Sequence, residues 1–185
     1  MEFFIGIGIV VLLVVWVVAI YNNLVSLRNN RENAFADIDV QLKQRHDLIP
    51  QLVSTVKGYM EHERGTLEAV TQARSRAINA SSINDKIQAE AQLGSALQGL
   101  QIQVEAYPDL KANQNFMQLQ NEISDVENKL AAVRRFFNSA TRELNTAIEK
   151  FPNVIFAGMF GFTRQPSFDL GGERQAAEKA PEIKF

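Results

Sequence analysis

The side chains that most often do acid–base or metal chemistry are scarce in this sequence of 185 residues. His46 and His62 are the two histidines, and there is no cysteine, which excludes disulfides, thiolate metal sites and thiol nucleophiles. His62 is followed by glutamate, but the second histidine that a helical zinc motif places four residues later is missing. The Glu-x-x-His pairs of two-metal helical bundles are also missing from the sequence. We therefore expect no metal site and no cofactor.

Sequence motifs for covalent catalysis or phosphate binding are missing as well. The sequence has no nucleophile elbow, no phosphate-binding glycine loop and no histidine paired with an acid or serine along the chain. The formal net charge is −2 and no basic patch alternates with aromatic residues, so nucleic acid is not an expected partner. We expect no catalytic residues and no small-molecule substrate, and we interpret the chain as a protein that is not an enzyme.

A dense group of charges just before Pro50 is the first candidate for a specific interaction. On a solvated helix face, pairs such as Asp39 and Lys43 bridge one turn, and each pair contributes only a few tenths of a kcal/mol. Alternatively, some of these charges lie between packed helices, where they fix the register or a subunit contact. Both interpretations fit the candidate interaction residues Asp37, Asp39, Lys43, Arg45, His46 and Asp47.

The N-terminal stretch predicts the element that holds these charges at a membrane. The eighteen residues from Phe3 to Ile20 carry no charge and span about 27 Å as a helix, close to the hydrocarbon thickness of a bilayer. Trp16 and Tyr21 are placed for a membrane interface. A cleaved signal peptide would need a basic start, a shorter apolar run and a cleavage site of small residues, which the sequence lacks. We therefore predict a retained single-pass transmembrane anchor at residues 1–22.

Basic residues near the anchor predict its orientation. Arg28, Arg31, Lys43 and Arg45 follow the apolar stretch, whereas no lysine or arginine precedes it. Because positive charge tends to stay on the cytoplasmic side, we predict a cytoplasmic body. A periplasmic body is the alternative.

Beyond the anchor, apolar residues recur at steps of three and four, which predicts long helices. Pro50 should kink the first of them or start a new one. The polar run 79–85 predicts a loop, in which Asn84 or Asp85 can cap the next helix. The last helix carries a seven-residue repeat over five heptads and is ended by Pro152. Its apolar positions are Phe116, Leu119, Ile123, Val126, Leu130, Val133, Phe137, Ala140, Leu144, Ala147 and Phe151.

These patterns predict an all-α fold, an antiparallel bundle of long helices with an N-terminal transmembrane helix. The bundle is predicted for residues 23–162, and a poorly ordered tail for 163–185. The apolar stripe of the last helix is either intramolecular core or a coiled-coil seam between subunits. We assign structural roles at turns, caps and helix contacts to Pro50, Tyr107, Pro108, Asp109, Asn113, Phe116, Glu127, Asn128, Arg134, Asn138 and Pro152.

The segment FPNVIFAGMFGF at residues 151–162 is the second candidate for an interaction. It is apolar, aromatic, broken by glycine and too short to cross a bilayer. Three interpretations compete: the segment caps the core of the bundle, lies in the membrane interface, or docks on a neighbouring subunit. Its candidate interaction residues are Phe156, Met159, Phe160 and Phe162.

Four blocks of the sequence resemble, in the right order, the signatures of the LemA family. Phe137 departs from the pattern, since a tyrosine is common there. The resemblance covers about residues 1–168 and implies a membrane-anchored helical bundle in the bacterial envelope, with no established enzymatic activity. We expect the anchor to lie in the inner membrane. The blocks are residues 21–74, which begin YNNLVSLRNNREN, AYPDLKANQNF at 106–116, ENKLAAVRRFFN at 127–138 and FPNVIFAGMFGF at 151–162.

The resemblance also implies a setting for function, because a link with envelope stress and with the membrane protease HtpX has been suggested for relatives. Copies tethered in one plane have a high effective concentration, so weak lateral contacts suffice for assembly. We therefore expect a self-assembling scaffold of the bacterial envelope, a large homo-oligomer that remodels membrane or serves a stress response. The alternative is an adaptor or sensor that binds another envelope protein, such as HtpX.

Overall fold

The computed structural model describes residues 1–60 and 62–169, and this part of the chain contains six helices and no strand. The all-α fold predicted from the sequence is confirmed. Residues 170–185 of the predicted tail lie outside the described residues. The helices are α1 (Glu2–Lys57), α2 (Arg64–Asn79), α3 (Ile83–Val104), α4 (Pro108–Lys111), α5 (Gln114–Glu149) and α6 (Asn153–Ala157).

Helix α1 continues through Pro50 without the new helix start that the sequence analysis allowed. A proline lacks the N–H that would bond the carbonyl four residues earlier, which here belongs to His46. That carbonyl accepts a hydrogen bond from Arg74 Nε of α2 instead, at 2.7 Å. Arg74 of α2 therefore satisfies the carbonyl that the proline frees, and this hydrogen bond links α1 to α2.

Short connections separate the remaining helices, and side-chain caps begin α3 and α5. Ser82 is the N-cap of α3 and accepts a hydrogen bond from the Asp85 N–H at 3.0 Å, so the cap lies before the two residues predicted for it. Pro108 is the first residue of α4, a position where the N–H that proline lacks would have no partner within the helix. Asn113 caps α5, because its Oδ1 accepts a hydrogen bond from the Phe116 N–H at 3.1 Å.

The chain divides into two compact units, and both α1 and α5 contribute to each. Of the described residues, the first unit consists of 1–37 and 133–167, and the second of 38–60, 62–132, 168 and 169. In the second unit, four helices and the short α4 surround one apolar core. Its buried residues are Ile49, Leu52, Val56, Met60, Leu67, Val70, Ala73, Ala77, Ala89, Leu93, Leu100, Val104, Leu110 and Phe116.

In the first unit, α1 and α5 run antiparallel. Phe35 meets Phe137 with ring centroids 5.5 Å apart, and Arg31, one turn earlier, bonds Thr141, one turn later. Most of the heptad positions predicted on α5 are buried within the chain, in one unit or the other, which favours intramolecular core for this stripe. Beyond these contacts, a smaller cluster closes the unit: Ile20, Leu24, Leu144, Ile148, Ala157 and Phe162.

The apolar start of α1 is long and apolar enough to cross a membrane. Only 6% of its eighteen most apolar consecutive residues are buried inside the protein, so it is not the core helix of a soluble domain in the described part of the chain. Nearly all of its side chains lack cover from the described residues, and burying them in a bilayer removes them from water. The structure therefore supports a single candidate membrane span at the place the sequence predicted.

Candidate functional site

A buried ionic network lies at the centre of the second unit. Arg45 Nη1 donates to Glu90 Oε2 at 2.9 Å, and His46 Nε2 lies 2.6 Å from Glu90 Oε1. All three side chains are buried, and Glu90 is only 1% exposed. An ionised carboxylate accepts but cannot donate, so with Glu90 in that form the His46 Nε2 carries the proton of this hydrogen bond. Both carboxylate oxygens of Glu90 are thus occupied by partners from α1.

Two further contacts extend the network to α2 and α5. Arg45 Nε lies 2.8 Å from Glu127 Oε1, but its N–H is not directed at that oxygen, so the contact is an ion pair without a hydrogen bond. The backbone carbonyl of His46 accepts from Arg74, as described above. Neighbouring residues of α1 therefore connect to α2, α3 and α5. Such a network fixes how the four helices are aligned along one another.

The charges predicted as one cluster before Pro50 fall into two groups in the structure. Arg45 and His46 are buried, which fits the interpretation that places charges between packed helices. Asp37, Lys43 and Asp47 are exposed on the surface of α1.

Asp39, which the sequence suggested could pair with Lys43 on its own helix, instead contacts α3. Both of its carboxylate oxygens accept from Lys86 Nζ at 2.7 Å. Lys43 lies on the exposed side of α1, whereas Asp39 is half-buried next to α3. The packing of α3 against α1 therefore determines which lysine pairs with Asp39, and Asp39 makes an interhelical contact.

Glu90 is the central residue that the sequence analysis missed. It lies three residues after Ile87 and three before Leu93, so it occupies the apolar stripe of α3. A carboxylate at such a position must be paired or protonated, because an isolated buried charge is strongly unfavourable. The single acid in this apolar stripe was the feature of the sequence that could have identified Glu90.

The pairing of both Glu90 oxygens limits the chemistry that this network can perform. Neither oxygen of Glu90 is free to abstract a proton, and the near ring nitrogen of His46 is already engaged. Within residues 1–60 and 62–169, no group of three histidines or acids is arranged to hold a metal ion. An open groove of about 760 Å³ lies beside Arg45 and Glu127, lined mainly by amide and aliphatic side chains of α3 and α5. The arrangement is suited to holding helices in place.

A second buried cation, Arg31, organises the first unit. Its Nε donates to Thr141 Oγ1 at 3.2 Å, its Nη2 donates to the Pro166 carbonyl at 3.3 Å, and its Cζ lies 4.8 Å from the centre of the Phe137 ring. Burial lowers the pKa of Arg31 from its ordinary value, an effect that neighbouring Glu32 partly opposes. Arg31 interrupts an apolar stripe of α1, as Glu90 interrupts that of α3, and the sequence alone identified Arg31 only as a charge near the anchor.

The same unit holds the chain after α6 in place. The side-chain amide of Asn145 donates to the Gln165 carbonyl and accepts from the Gln165 N–H, both at 2.8 Å. Arg164 Nη1 donates to Glu149 Oε1 at 2.6 Å. These contacts attach Arg164 and Gln165 to α5, although the stretch from residue 163 onward was predicted to be a poorly ordered tail.

The segment 151–162 forms an aromatic cluster with the C-terminal end of the apolar stretch. Phe156 meets Trp16 edge-on with ring centroids 6.2 Å apart, and Phe160 meets Tyr21 at 5.1 Å. Phe162 is buried and also contacts Tyr21, so part of the segment caps the core of the unit as one interpretation proposed. Met159 is 79% exposed, so its side chain takes no part in this cap.

The residues assigned structural roles from the sequence are dispersed through both units. Tyr107, Asn113 and Phe116 surround α4, where Tyr107 packs on the core and Asn113 also donates to the Tyr59 hydroxyl at 2.9 Å. Asp109 is exposed in the first turn of α4, and Asn128 is exposed on α5. Besides Pro50, Pro108 and Glu127, which are described above, the set includes Arg134, which is buried, Asn138, which is half-buried, and Pro152, which follows a cis peptide bond and precedes α6.

Comparisons with known proteins bear on what such an arrangement does. A model of the LemA family matches residues 34–185. The chain is 30% identical over 131 residues to a protein named LemA from Metamycoplasma hominis, across 70% of this chain and 60% of that relative. It is 22% identical over 174 residues to the magnetosome protein MamQ of Magnetospirillum gryphiswaldense, across 80% of this chain and 64% of that relative. The chain therefore spans less than two thirds of either relative.

Proposed function

The chain belongs to the LemA family, and from this premise we propose that it is a membrane-anchored scaffold that assembles laterally with copies of itself in the bacterial envelope. The observation that carries the proposal is the form of α1. One uninterrupted helix provides the unburied apolar stretch and then core residues of both units. A body attached in this way stays at the membrane surface, where tethering raises the effective concentration of copies.

The orientation of the body is part of the proposal. Arg28 is exposed on α1 eight residues after Ile20, whereas Met1 and Glu2, on the other side of the apolar stretch, are not basic. This asymmetry favours a cytoplasmic body at the inner membrane, with the periplasmic side as the alternative. Because the chain has no cysteine, a single introduced thiol such as Ile102→Cys reports the side through its reaction with a membrane-impermeant maleimide.

We place the contact surface for assembly in the first unit, around Phe136. Phe136 on α5 is 62% exposed and borders a hollow of about 420 Å³. Asp37, one of the candidate interaction residues, lines the same hollow together with Asn33 and Glu143. Burying a phenylalanine of this kind contributes about 1.5–3 kcal/mol, which is weak for free proteins but sufficient for tethered ones.

The test replaces this side chain in the full-length protein. We expect Phe136→Ser to lower the mass of detergent-solubilised particles, measured by size exclusion with light scattering, and to disperse arrays seen by negative-stain imaging of reconstituted vesicles. Ile102→Ser is the matched control, because Ile102 is 66% exposed on α3 in the second unit. Equal effects of the two substitutions would contradict this contact surface.

The oligomeric state of the unsubstituted protein separates the scaffold from its alternative. A discrete multimer of many copies supports a scaffold that remodels membrane or serves an envelope stress response. A monomer or dimer, in detergent and in vesicles alike, would contradict self-assembly and favour an adaptor or sensor. Another envelope protein would then be the partner to test, and the membrane protease HtpX would be the first choice.

A further inference from the structure

Ring contacts fix the position of the segment 151–162 relative to the apolar stretch of α1. Trp16 lies four residues before Ile20, the end of that stretch, which places it about 6 Å inside the end along the helix axis. Phe156 meets the Trp16 ring directly, and Phe160 contacts Tyr21 just beyond the end. When the apolar stretch crosses a bilayer, this segment therefore lies at the depth of the hydrocarbon boundary.

The outward side of the segment is apolar and is not covered by any of the residues that the structure describes. One side is used by Ala157 and Phe162, which pack against Leu24 and Leu144 in the core of the first unit. A contiguous apolar surface of this kind is unfavourable in water and marks a contact site. Its exposed members are Phe151 at 74%, Val154 at 50%, Ile155 at 54%, Met159 at 79% and Phe160 at 38%.

Charged groups border the segment on both sides. Lys150 precedes it and is exposed, and Arg164 follows it, paired with Glu149. Arg28 lies over the Phe162 ring, with its Cζ 5.4 Å from the ring centre. Long basic side chains can extend to headgroup phosphates while apolar neighbours enter the acyl region.

From these observations we propose that the segment 151–162 inserts shallowly into the bilayer that α1 crosses, so that each copy contacts lipid at two places. The occupant of the apolar surface is lipid, because the surface is continuous through Trp16 with the lipid-facing side of the span. Trp16 is itself 46% exposed, so lipid that covers it also reaches Phe156. The inference rests on the membrane anchor of the proposed function and adds an interfacial lipid contact to it.

Depth-dependent quenching tests this proposal on full-length protein in vesicles of phosphatidylcholine and phosphatidylglycerol. The chain has no cysteine, so Met159→Cys accepts a single environment-sensitive dye, and Ile102→Cys provides a matched control position on α3. We expect lipids with a nitroxide near the headgroup to quench the dye at position 159 several-fold more strongly than at position 102. The dye at 159 should also respond more to shallow than to deep nitroxides.

The sole tryptophan, Trp16, separates failure of this inference from failure of the anchor. Strong quenching of Trp16 by brominated lipid, with equal quenching at 159 and 102, would overturn the inference and leave the anchor intact. No quenching of Trp16 would overturn both. A blue-shifted dye at 159 that lipid nitroxides do not quench would show a second protein copy on the surface and would also overturn it. Val154→Cys repeats the measurement in case substitution at 159 disturbs the fold, which circular dichroism detects.

Discussion

At the scale of single residues, the burial of Glu90 is the most demanding feature of the second unit. Removing a carboxylate from water is strongly unfavourable unless partners replace the lost hydration. Arg45 and His46, which are adjacent on α1, supply those partners to the two oxygens separately. A shift of one helix turn between α1 and α3 would break both contacts together, so the network specifies the register of the pair.

Glu90→Ala should destabilise the full-length protein by about 3–5 kcal/mol, because it leaves the Arg45 guanidinium buried with only the misdirected Glu127 contact. The free energy of unfolding from urea titration in detergent, followed by circular dichroism, measures this loss. Glu105→Ala is the control, since the Glu105 carboxylate is 64% exposed and its pair with Lys111 should contribute less than about 1 kcal/mol. Similar losses in both variants would show that Glu90 does not hold the helices together.

The sequence predicted part of this site and missed the rest for one reason. Arg45 and His46 stood out because charges crowd around them. Glu90 and Arg31 are single charges inside apolar stripes. Because a stripe is recognised by the spacing of its apolar residues, a single charge within it is overlooked. Which partner each one meets depends on how the helices pack, and one helix's periodicity carries no information about its neighbour.

At the scale of elements, Pro50 illustrates how a helix tolerates a residue that usually interrupts it. The proline frees the His46 carbonyl, and Arg74 of α2 occupies it. The sequence predicted a kink or a new helix start at this position, and it did not show that a neighbouring helix would satisfy the backbone. The caps show the same limit, since Ser82 and the two residues predicted to cap α3 are all good capping residues within one loop.

The pairing of proline and arginine predicts that their substitutions are not additive. We expect Arg74→Ala to lower the free energy of unfolding by about 1.5–3 kcal/mol, the range for a hydrogen bond with a charged donor. Pro50→Ala restores an N–H to the helix, which then shares the carbonyl. In the Pro50→Ala background the loss from Arg74→Ala should therefore shrink by at least about 0.5 kcal/mol.

A double-mutant cycle in urea measures this coupling directly. Arg76→Ala is the matched control on α2, because Arg76 contacts only the exposed side chain of Gln92, at 3.3 Å, among the hydrogen bonds described for it. Its effect should be small and independent of Pro50. Strict additivity of Arg74→Ala with Pro50→Ala would mean that the carbonyl contact contributes nothing to stability.

At the scale of the whole molecule, the fold class was readable from the sequence but the division into units was not. Long helices follow from apolar steps of three and four, and the anchor follows from eighteen uncharged residues. The boundary between units crosses α5 near Val133, where the apolar repeat continues without change. Because both units use the same stripe of the same helix, periodicity alone carries no mark of where one core ends.

Two equally exposed valines of α1, one inside the apolar stretch and one beyond it, provide a test of the membrane span. Val11 and Val40 lie on the same helix and are 54% and 56% exposed, but only Val11 is inside the apolar stretch. An arginine at the centre of a span costs about 2.5–3.5 kcal/mol on insertion scales, whereas an arginine on a solvated helix costs little. Val11→Arg should therefore move much of the protein out of the alkali-resistant membrane fraction, and Val40→Arg should leave it there. If both variants stayed in that fraction to the same extent, the apolar stretch would not be what holds the protein at the membrane.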